Sequence, residues 1–197
     1  MYSTFDEKKF SSFNTFFNIQ GVKDALVSNK IYDNTLKQYN QTINSKAIPL
    51  SLIWNVMYNT PLIQKRLHFN TNTNVGYRSQ YGYIKRDVNV TEINIDNLPL
   101  GDLSKTRTYN ASEAISLTFT HDVFELGIRG NISYTNSLNN LKNIPTETWN
   151  WSGTGNIVIR FPYNFVLSSD IAYSDRAGYT NMDQKEIMWN ASIDKTL

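Results

Sequence analysis

Alternation over seventeen consecutive residues, 67–83, is the feature that most limits the folds open to this chain. Odd positions in this stretch carry apolar, aromatic or small hydroxyl side chains, and even positions carry His, Asn, Gly, Arg and Gln. Side chains repeat their direction every two residues in a strand but every 3.6 residues in a helix. The stretch therefore predicts a two-faced β-strand, and it is far longer than the about 5–6 residues usual in soluble sheets.

The same alternation recurs along the rest of the chain. Eight further segments share it, although Glu113 falls among the apolar positions of one of them: 13–19, 25–31, 50–58, 109–119, 124–134, 149–161, 165–173 and 189–193. We expect an all-β fold in which about nine long strands form an antiparallel up-and-down meander. No linker rich in Pro or Gly and no block of charge divides the chain, so residues 1–197 are interpreted as one domain.

The predicted connections alternate between short and long. Short links cover 60–66, 120–123 and 162–164, whereas about 84–105, 137–148 and 175–185 form longer segments rich in Asn, Asp, Thr or Lys. Short turns at one end of a sheet and long polar loops at the other are typical of outer-membrane barrels. The meander is therefore interpreted as part of a transmembrane β-barrel.

Aromatic residues of the apolar parity lie at two heights along the predicted strands. One set flanks the short links and is called the short-turn girdle: Tyr58, Phe69, Phe119, Phe124, Phe161 and Phe165. The second set lies eight or ten residues away and is called the long-loop girdle: Tyr77, Tyr134, Trp151 and Tyr173, with Tyr109 at the same height. In strands tilted by about 40° this spacing spans roughly 21–26 Å, close to the apolar band of about 25 Å between barrel girdles. These residues are predicted to contact lipid at its two interfaces.

Charged side chains of the other parity are predicted to face a water-filled lumen, where charge is tolerated. They are His68, Arg78, Glu125, Arg129, Arg160, Asp170 and Arg176. Solvation of the lumen, or contact with a plug, explains them better than contact with a substrate.

The composition gives little support to catalysis. Cys is absent, so a disulfide framework, a thiolate zinc site and a Cys nucleophile are excluded. His68 and His121 have no metal-ligand spacing, and no nucleophile elbow or phosphate loop is present. The net charge of +2 gives no reason to expect nucleic-acid binding. We expect no enzyme activity, no metal and no cofactor.

Three stretches also resemble a known family. Residues 59–70, which read NTPLIQKRLHFN, 161–170, which read FPYNFVLSSD, and 188–195, which read MWNASIDK, resemble the strands and turns of outer-membrane β-barrel domains related to the TonB-dependent receptors of Bacteroidota. The resemblance covers most of 38–197. It implies a barrel of around 22 strands that imports a scarce nutrient, with the TonB complex, a plug and the remaining strands as partners. The chain differs from this family in having no plug and no TonB-contacting segment.

The start of the chain carries charges and no apolar run of a secretory signal peptide. An odd, unclosed set of nine strands would leave unpaired backbone groups in lipid. We therefore expect a fragment of a larger barrel, truncated at both ends, whose targeting signal lies upstream and whose location is the bacterial outer membrane.

Two alternatives remain open from the sequence. The first is a small, self-contained barrel that acts as a passive porin or a structural membrane protein, which would need an even number of strands. The second is a soluble β-sandwich, either an adhesin or a carbohydrate-binding module, in which exposed Trp and Tyr would contact sugar.

Overall fold

A computed structural model describes residues 1–63, 66–89, 98–141, 145–179 and 185–195. Eleven β-strands and one three-residue 3-10 turn, Pro162–Asn164, make up the regular structure of this part. The strands are β1 (Tyr2–Asp6), β2 (Ser11–Gly21), β3 (Leu26–Asp33), β4 (Gln38–Asn44), β5 (Leu50–Ile63), β6 (Leu67–Val88), β7 (Asp102–Thr120), β8 (Phe124–Asn139), β9 (Thr146–Phe161), β10 (Phe165–Ala177) and β11 (Lys185–Lys195). The all-β expectation is confirmed.

Nine of these strands follow one antiparallel path across a single sheet. The order is β1–β2–β5–β6–β7–β8–β9–β10–β11, with every neighbouring pair antiparallel. In the described part of the chain the sheet is open, because β1 pairs only with β2 and β11 only with β10. The predicted meander is therefore present, and its two edges are free.

A hairpin of β3 and β4 interrupts the simple order. Segment 25–31, predicted as a member of the meander, forms β3, which pairs with β4 and runs parallel to the far end of β6. Because this hairpin is inserted between β2 and β5, those two strands pair although 28 residues separate them. The prediction that chain neighbours are always spatial neighbours is therefore wrong here. The short strands β1 and β4 were not predicted, because neither has a strong apolar face.

Several strands extend into the predicted connections. β5 continues through Pro61 to Ile63, and its pairing with β6 shifts register between these two residues. Proline lacks an N–H group and is tolerated at such irregularities, so the strand continues where a link was expected. Likewise β6 reaches Val88 and β8 reaches Asn139. The turns β1–β2, β5–β6, β7–β8 and β9–β10 nevertheless share one end of the sheet, and the longer connections share the other.

Buried apolar side chains are confined to the hairpin end of the sheet. Ile31, Val88 and Leu98 form a small cluster against Tyr39. Tyr83 is the remaining large apolar side chain that is buried among the described residues. Elsewhere the described strands form a single layer, because all of them belong to one sheet. Most apolar side chains therefore lie on an uncovered face.

Candidate functional site

Register separates the side chains of the sheet into two chemically distinct faces. Residues directly opposite each other in neighbouring strands lie on the same face. Following these partners from β2 to β11 gives one cross-strand row, called the Tyr58 row: Phe13, Tyr58, Thr71, Ile115, Gly130, Gly153, Tyr173 and Ile187. All ten girdle residues lie on the face of this row, called the apolar face. All seven predicted lumen residues lie on the opposite, polar face.

The apolar face is widely exposed. Ile128 is 57% exposed, Ile171 is 52% exposed, and Trp54 and Phe161 are each 49% exposed. A soluble sheet would cover such a surface with a second layer, since contiguous apolar patches on monomers rarely exceed a few hundred Å². An environment outside the described residues must therefore account for this face.

The short-turn girdle follows a diagonal across the sheet. Tyr58 lies in the Tyr58 row itself, and Phe69 in β6 lies two residues nearer the short turns. The displacement grows to four residues at Phe119, six at Phe124 and eight at Phe161 and Phe165. The girdle therefore shifts by eight residues over the five steps from β5 to β10.

The long-loop girdle follows a second diagonal with the same slope. Tyr77 and Tyr109 lie six residues beyond the Tyr58 row, Tyr134 lies four beyond it, Trp151 two, and Tyr173 lies in the row. Both diagonals shift by about 1.5 residues per strand, which at a rise of about 3.4 Å and a spacing of about 4.8 Å corresponds to a tilt of about 47°. A membrane-spanning strand is tilted by about 45°.

Aromatic contacts join neighbouring strands along the long-loop girdle. The rings of Tyr77 and Tyr109 are 5.1 Å apart, and those of Tyr134 and Trp149 are 4.5 Å apart. At the short-turn girdle the rings of Phe119 and Phe124 are 5.7 Å apart. Such pairs stabilise a sheet by about 0.5–1.5 kcal/mol beyond the area that they bury.

The seven predicted lumen residues share a face but do not converge on one centre. The guanidinium of Arg160 lies 4.0 Å from the Glu125 carboxylate, and Asp170 accepts a hydrogen bond of 2.9 Å from Asn190. Both pairs are largely exposed, so each contributes at most about 1 kcal/mol. Whether this face lines a lumen remains a prediction.

Cross-strand amide contacts on the polar face were not anticipated. The Nδ2 group of Asn55 donates to Oδ1 of Asn72 at 2.8 Å, and that of Asn110 donates to Oδ1 of Asn74 at 3.2 Å. The signal was present in the even positions of β6, three of which in succession are Asn. These contacts order a neutral, hydrated surface that has the composition expected of a pore wall.

Glu113 is the acidic residue that interrupts the apolar face of β7. Its two carboxylate oxygens accept hydrogen bonds from the hydroxyl groups of Thr71 and Thr73 in β6. It lies six residues from Phe119 and four from Tyr109, well inside the band between the girdles. The hydroxyl donors explain how a carboxylate is accommodated there, and the sequence alone did not identify them.

Asp33 organises the turn of the β3–β4 hairpin. Its carboxylate accepts hydrogen bonds from the backbone N–H groups of Thr35 at 2.8 Å and Lys37 at 2.9 Å, and from the Thr35 hydroxyl at 2.7 Å. These bonds, that of the Thr35 hydroxyl first, lower the pKa of Asp33 although burial opposes the shift. The hairpin is therefore held by an ionised side chain that is 1% exposed.

The described residues offer few chemical groups for catalysis. They contain no cluster of three His, Asp or Glu side chains that could hold a metal ion. No helix in the same part of the chain has the length and apolarity needed to cross a bilayer. Comparisons of the chain with protein-family models, curated proteins and solved structures found no match.

Proposed function

We propose that the chain is a membrane-spanning segment of an outer-membrane β-barrel, with its apolar face toward lipid and its polar face toward an aqueous lumen. The observation that carries this proposal is the pair of parallel aromatic diagonals on the exposed apolar face. At a tilt of about 47° their separation of eight to ten residues corresponds to about 19–24 Å of height. An apolar band of about 25 Å between aromatic girdles is expected of a transmembrane barrel.

The single layer of the sheet favours a membrane over an aqueous environment. A β-sandwich would bury residues such as Ile128 and Leu126 against a second sheet about 10 Å away. Both residues are instead exposed, at 57% and 39%. Lipid would cover them without a second protein layer.

Closure of the barrel requires strands beyond the nine of the antiparallel path. Because an odd number of strands separates its edges, β1 and β11 run in the same direction. Joining them through antiparallel pairs alone requires an odd number of additional strands, and free edges cannot remain in hydrocarbon. The proposal is therefore a segment of a larger barrel and not a nine-stranded pore.

We further propose that the intact barrel belongs to a TonB-dependent, energy-coupled importer of a nutrient, with no enzymatic activity of its own. This finer assignment is supported only by the likeness of segments 59–70, 161–170 and 188–195 to that family. Sequencing the gene on both sides of codons 1–197 tests it. An in-frame plug domain and further strand segments are expected, and a nine-strand reading frame bounded by stop codons would contradict it.

Paired substitutions in β8 test the orientation of the two faces. Ile128→Asp places a charge on the apolar face, and Asn131→Asp places the same charge three residues away on the polar face. We expect Ile128→Asp to prevent insertion into lipid vesicles, measured by co-flotation and resistance to carbonate extraction. The Asn131→Asp variant should insert like the unmodified chain.

Two outcomes would overturn the membrane proposal. One is equal insertion of the two variants, since the faces would then be equivalent. The other is a cooperatively folding, monodisperse chain in plain buffer that does not associate with vesicles. In that case Ile128→Asp should lower the urea midpoint of a soluble fold.

A further inference from the structure

Strand pairing along one side of β6 is interrupted near the hairpin. β5 pairs with β6 as far as Ser51 opposite Arg78, and β3 resumes the pairing at Asn29 opposite Tyr83. Near Gly82 the gap is closed, because a Cβ atom there would lie 3.3 Å from the Ser28 carbonyl oxygen. The gap is therefore about three residues, or roughly 10 Å, long.

Backbone groups of β6 are available within this gap. N–H and C=O groups along a strand alternate between its two sides, and those of 79–81 that point away from β7 meet no partner strand. Backbone groups left without partners are costly unless water or a ligand satisfies them. The gap is thus a short, open strand edge inside the sheet.

A cavity of about 410 Å³ occupies the gap and is called the notch. Its walls come from the end of β2, the starts of β3 and β5, and residues 78–81 of β6. Ser79, which is 3% exposed, accepts a hydrogen bond of 2.9 Å from the Leu50 backbone N–H and so ties the start of β5 to β6. The volume lies within the range of about 300–1,000 Å³ typical of small-molecule sites.

Arg78 is the charged residue among those that line the notch. Uncharged polar side chains, among them Gln20, Gln80 and Ser51, accompany it. No carboxylate of the described residues lies within 4.0 Å of its guanidinium, whereas Arg160 on the same face pairs with Glu125. A guanidinium without an acidic partner, beside open backbone groups, matches a carboxylate-bearing ligand, because its planar fork binds carboxylates through two parallel hydrogen bonds.

We propose that the notch binds a small organic carboxylate, with the carboxylate on Arg78 and the rest of the ligand along the open edge of β6. Two kinds of compound supply this chemistry. An extended tripeptide ends in a carboxylate and matches the length of the gap, and an acidic monosaccharide carries a carboxylate with several hydroxyl groups. The proposal goes beyond the barrel assignment and does not depend on lipid contact.

Calorimetric titration of the full folded chain, in micelles if detergent is needed, tests the proposal. The probes are trialanine and its C-terminal amide, and glucuronate and glucose, so that each acid has an uncharged counterpart. We expect at least one acid to bind about tenfold more tightly than its counterpart. The acid that binds identifies which of the two sources the notch accepts.

Substitutions at two arginines of the polar face separate a local from a general charge effect. Arg78→Gln should abolish the preference for the acid, and Arg160→Gln, outside the notch, should preserve it. Arg78→Lys keeps the charge but loses the planar fork, so it should weaken binding by about tenfold or less. Circular dichroism establishes that each variant is folded, and the preference of the unmodified chain needs no variant.

Three results would overturn the proposal. They are the absence of saturable binding of either acid below about 10 mM, equal binding of acids and uncharged counterparts, and equal loss of binding in Arg78→Gln and Arg160→Gln. None of them bears on insertion into vesicles, so failure of this inference is distinguishable from failure of the membrane proposal.

Discussion

Tyr58 and Tyr173 lie in the same cross-strand row, five strand steps apart, although their positions in the sequence place them in opposite girdles. In a sheet whose strands stood upright, one row would have one height. The two tyrosines can belong to opposite girdles only if the strands are strongly tilted. The middle of the row, at Gly130, then lies between the girdles.

Tryptophan placed along the Tyr58 row should report this change of depth. In a chain whose native tryptophans are replaced by Phe, we expect Trp at position 58 or 173 to be quenched most by lipids brominated near the headgroup. Gly130→Trp should be quenched most by bromine near the chain end, and no atom lies within 4 Å of a Cβ at Gly130 to oppose the substitution. Equal depth for all three positions would contradict the tilted arrangement.

Replacement of Glu113 by Gln should favour the membrane-inserted state. Removing a charge from the band between the girdles should stabilise it by about 1 kcal/mol, while the amide oxygen still accepts a hydrogen bond from Thr71 or Thr73. Urea-dependent folding into vesicles measures the change. Glu125→Gln, on the polar face, serves as the control and should not stabilise the chain. A loss of stability in Glu113→Gln would show that the carboxylate has a partner outside the described residues.

The β3–β4 turn should loosen in acid. Because the pKa of Asp33 is lowered from 3.8 in the folded chain, its contribution is fully present above that value and is lost as the pH falls through the lower, folded pKa. Amide hydrogen exchange at Thr35 and Lys37, extrapolated for the intrinsic pH dependence, measures the loss. Asp33→Asn should remove the dependence below about pH 4, and unchanged protection of both amides in acid would contradict the assignment.

Gly178 should not tolerate a side chain. Its φ of +86° lies in the region that favours glycine, and a Cβ atom would collide with the backbone oxygen of Glu147. We expect Gly178→Ala to lower the free energy of unfolding by about 1–3 kcal/mol, measured by urea denaturation. Gly130→Ala is the matched control, since its Cβ meets open space and should be neutral or slightly stabilising. Equal effects of the two substitutions would contradict the geometry at Gly178.

Much of the sheet was predictable because alternation is a local property. Once residues 67–83 are extended, covalent geometry places Phe69 and Tyr77 on one face and Arg78 on the other. The same argument gave the correct face for every girdle and lumen residue of the prediction. It failed for β1 and β4, which are short and mostly exposed, and for β3, whose partner lies far along the chain.

The sites that carry chemistry were less predictable, since they depend on neighbours from other strands. Glu113 was visible in the sequence as an exception, but its partners Thr71 and Thr73 lie 40 or more residues away. The notch beside Arg78 exists because β5 ends and β3 begins along the same side of β6. No local pattern encodes such an interruption.

The sequence by itself determined that the chain forms long strands with one apolar and one polar face, because the period of two follows from the backbone alone. Only the tertiary structure decided the register, the insertion of the β3–β4 hairpin beside β6, and the single open layer. Register depends on pairing between distant segments, and a shift by two residues would preserve every face while moving both girdles. The parallel aromatic diagonals are therefore a property of the assembled sheet, although each aromatic residue was already visible in its own strand.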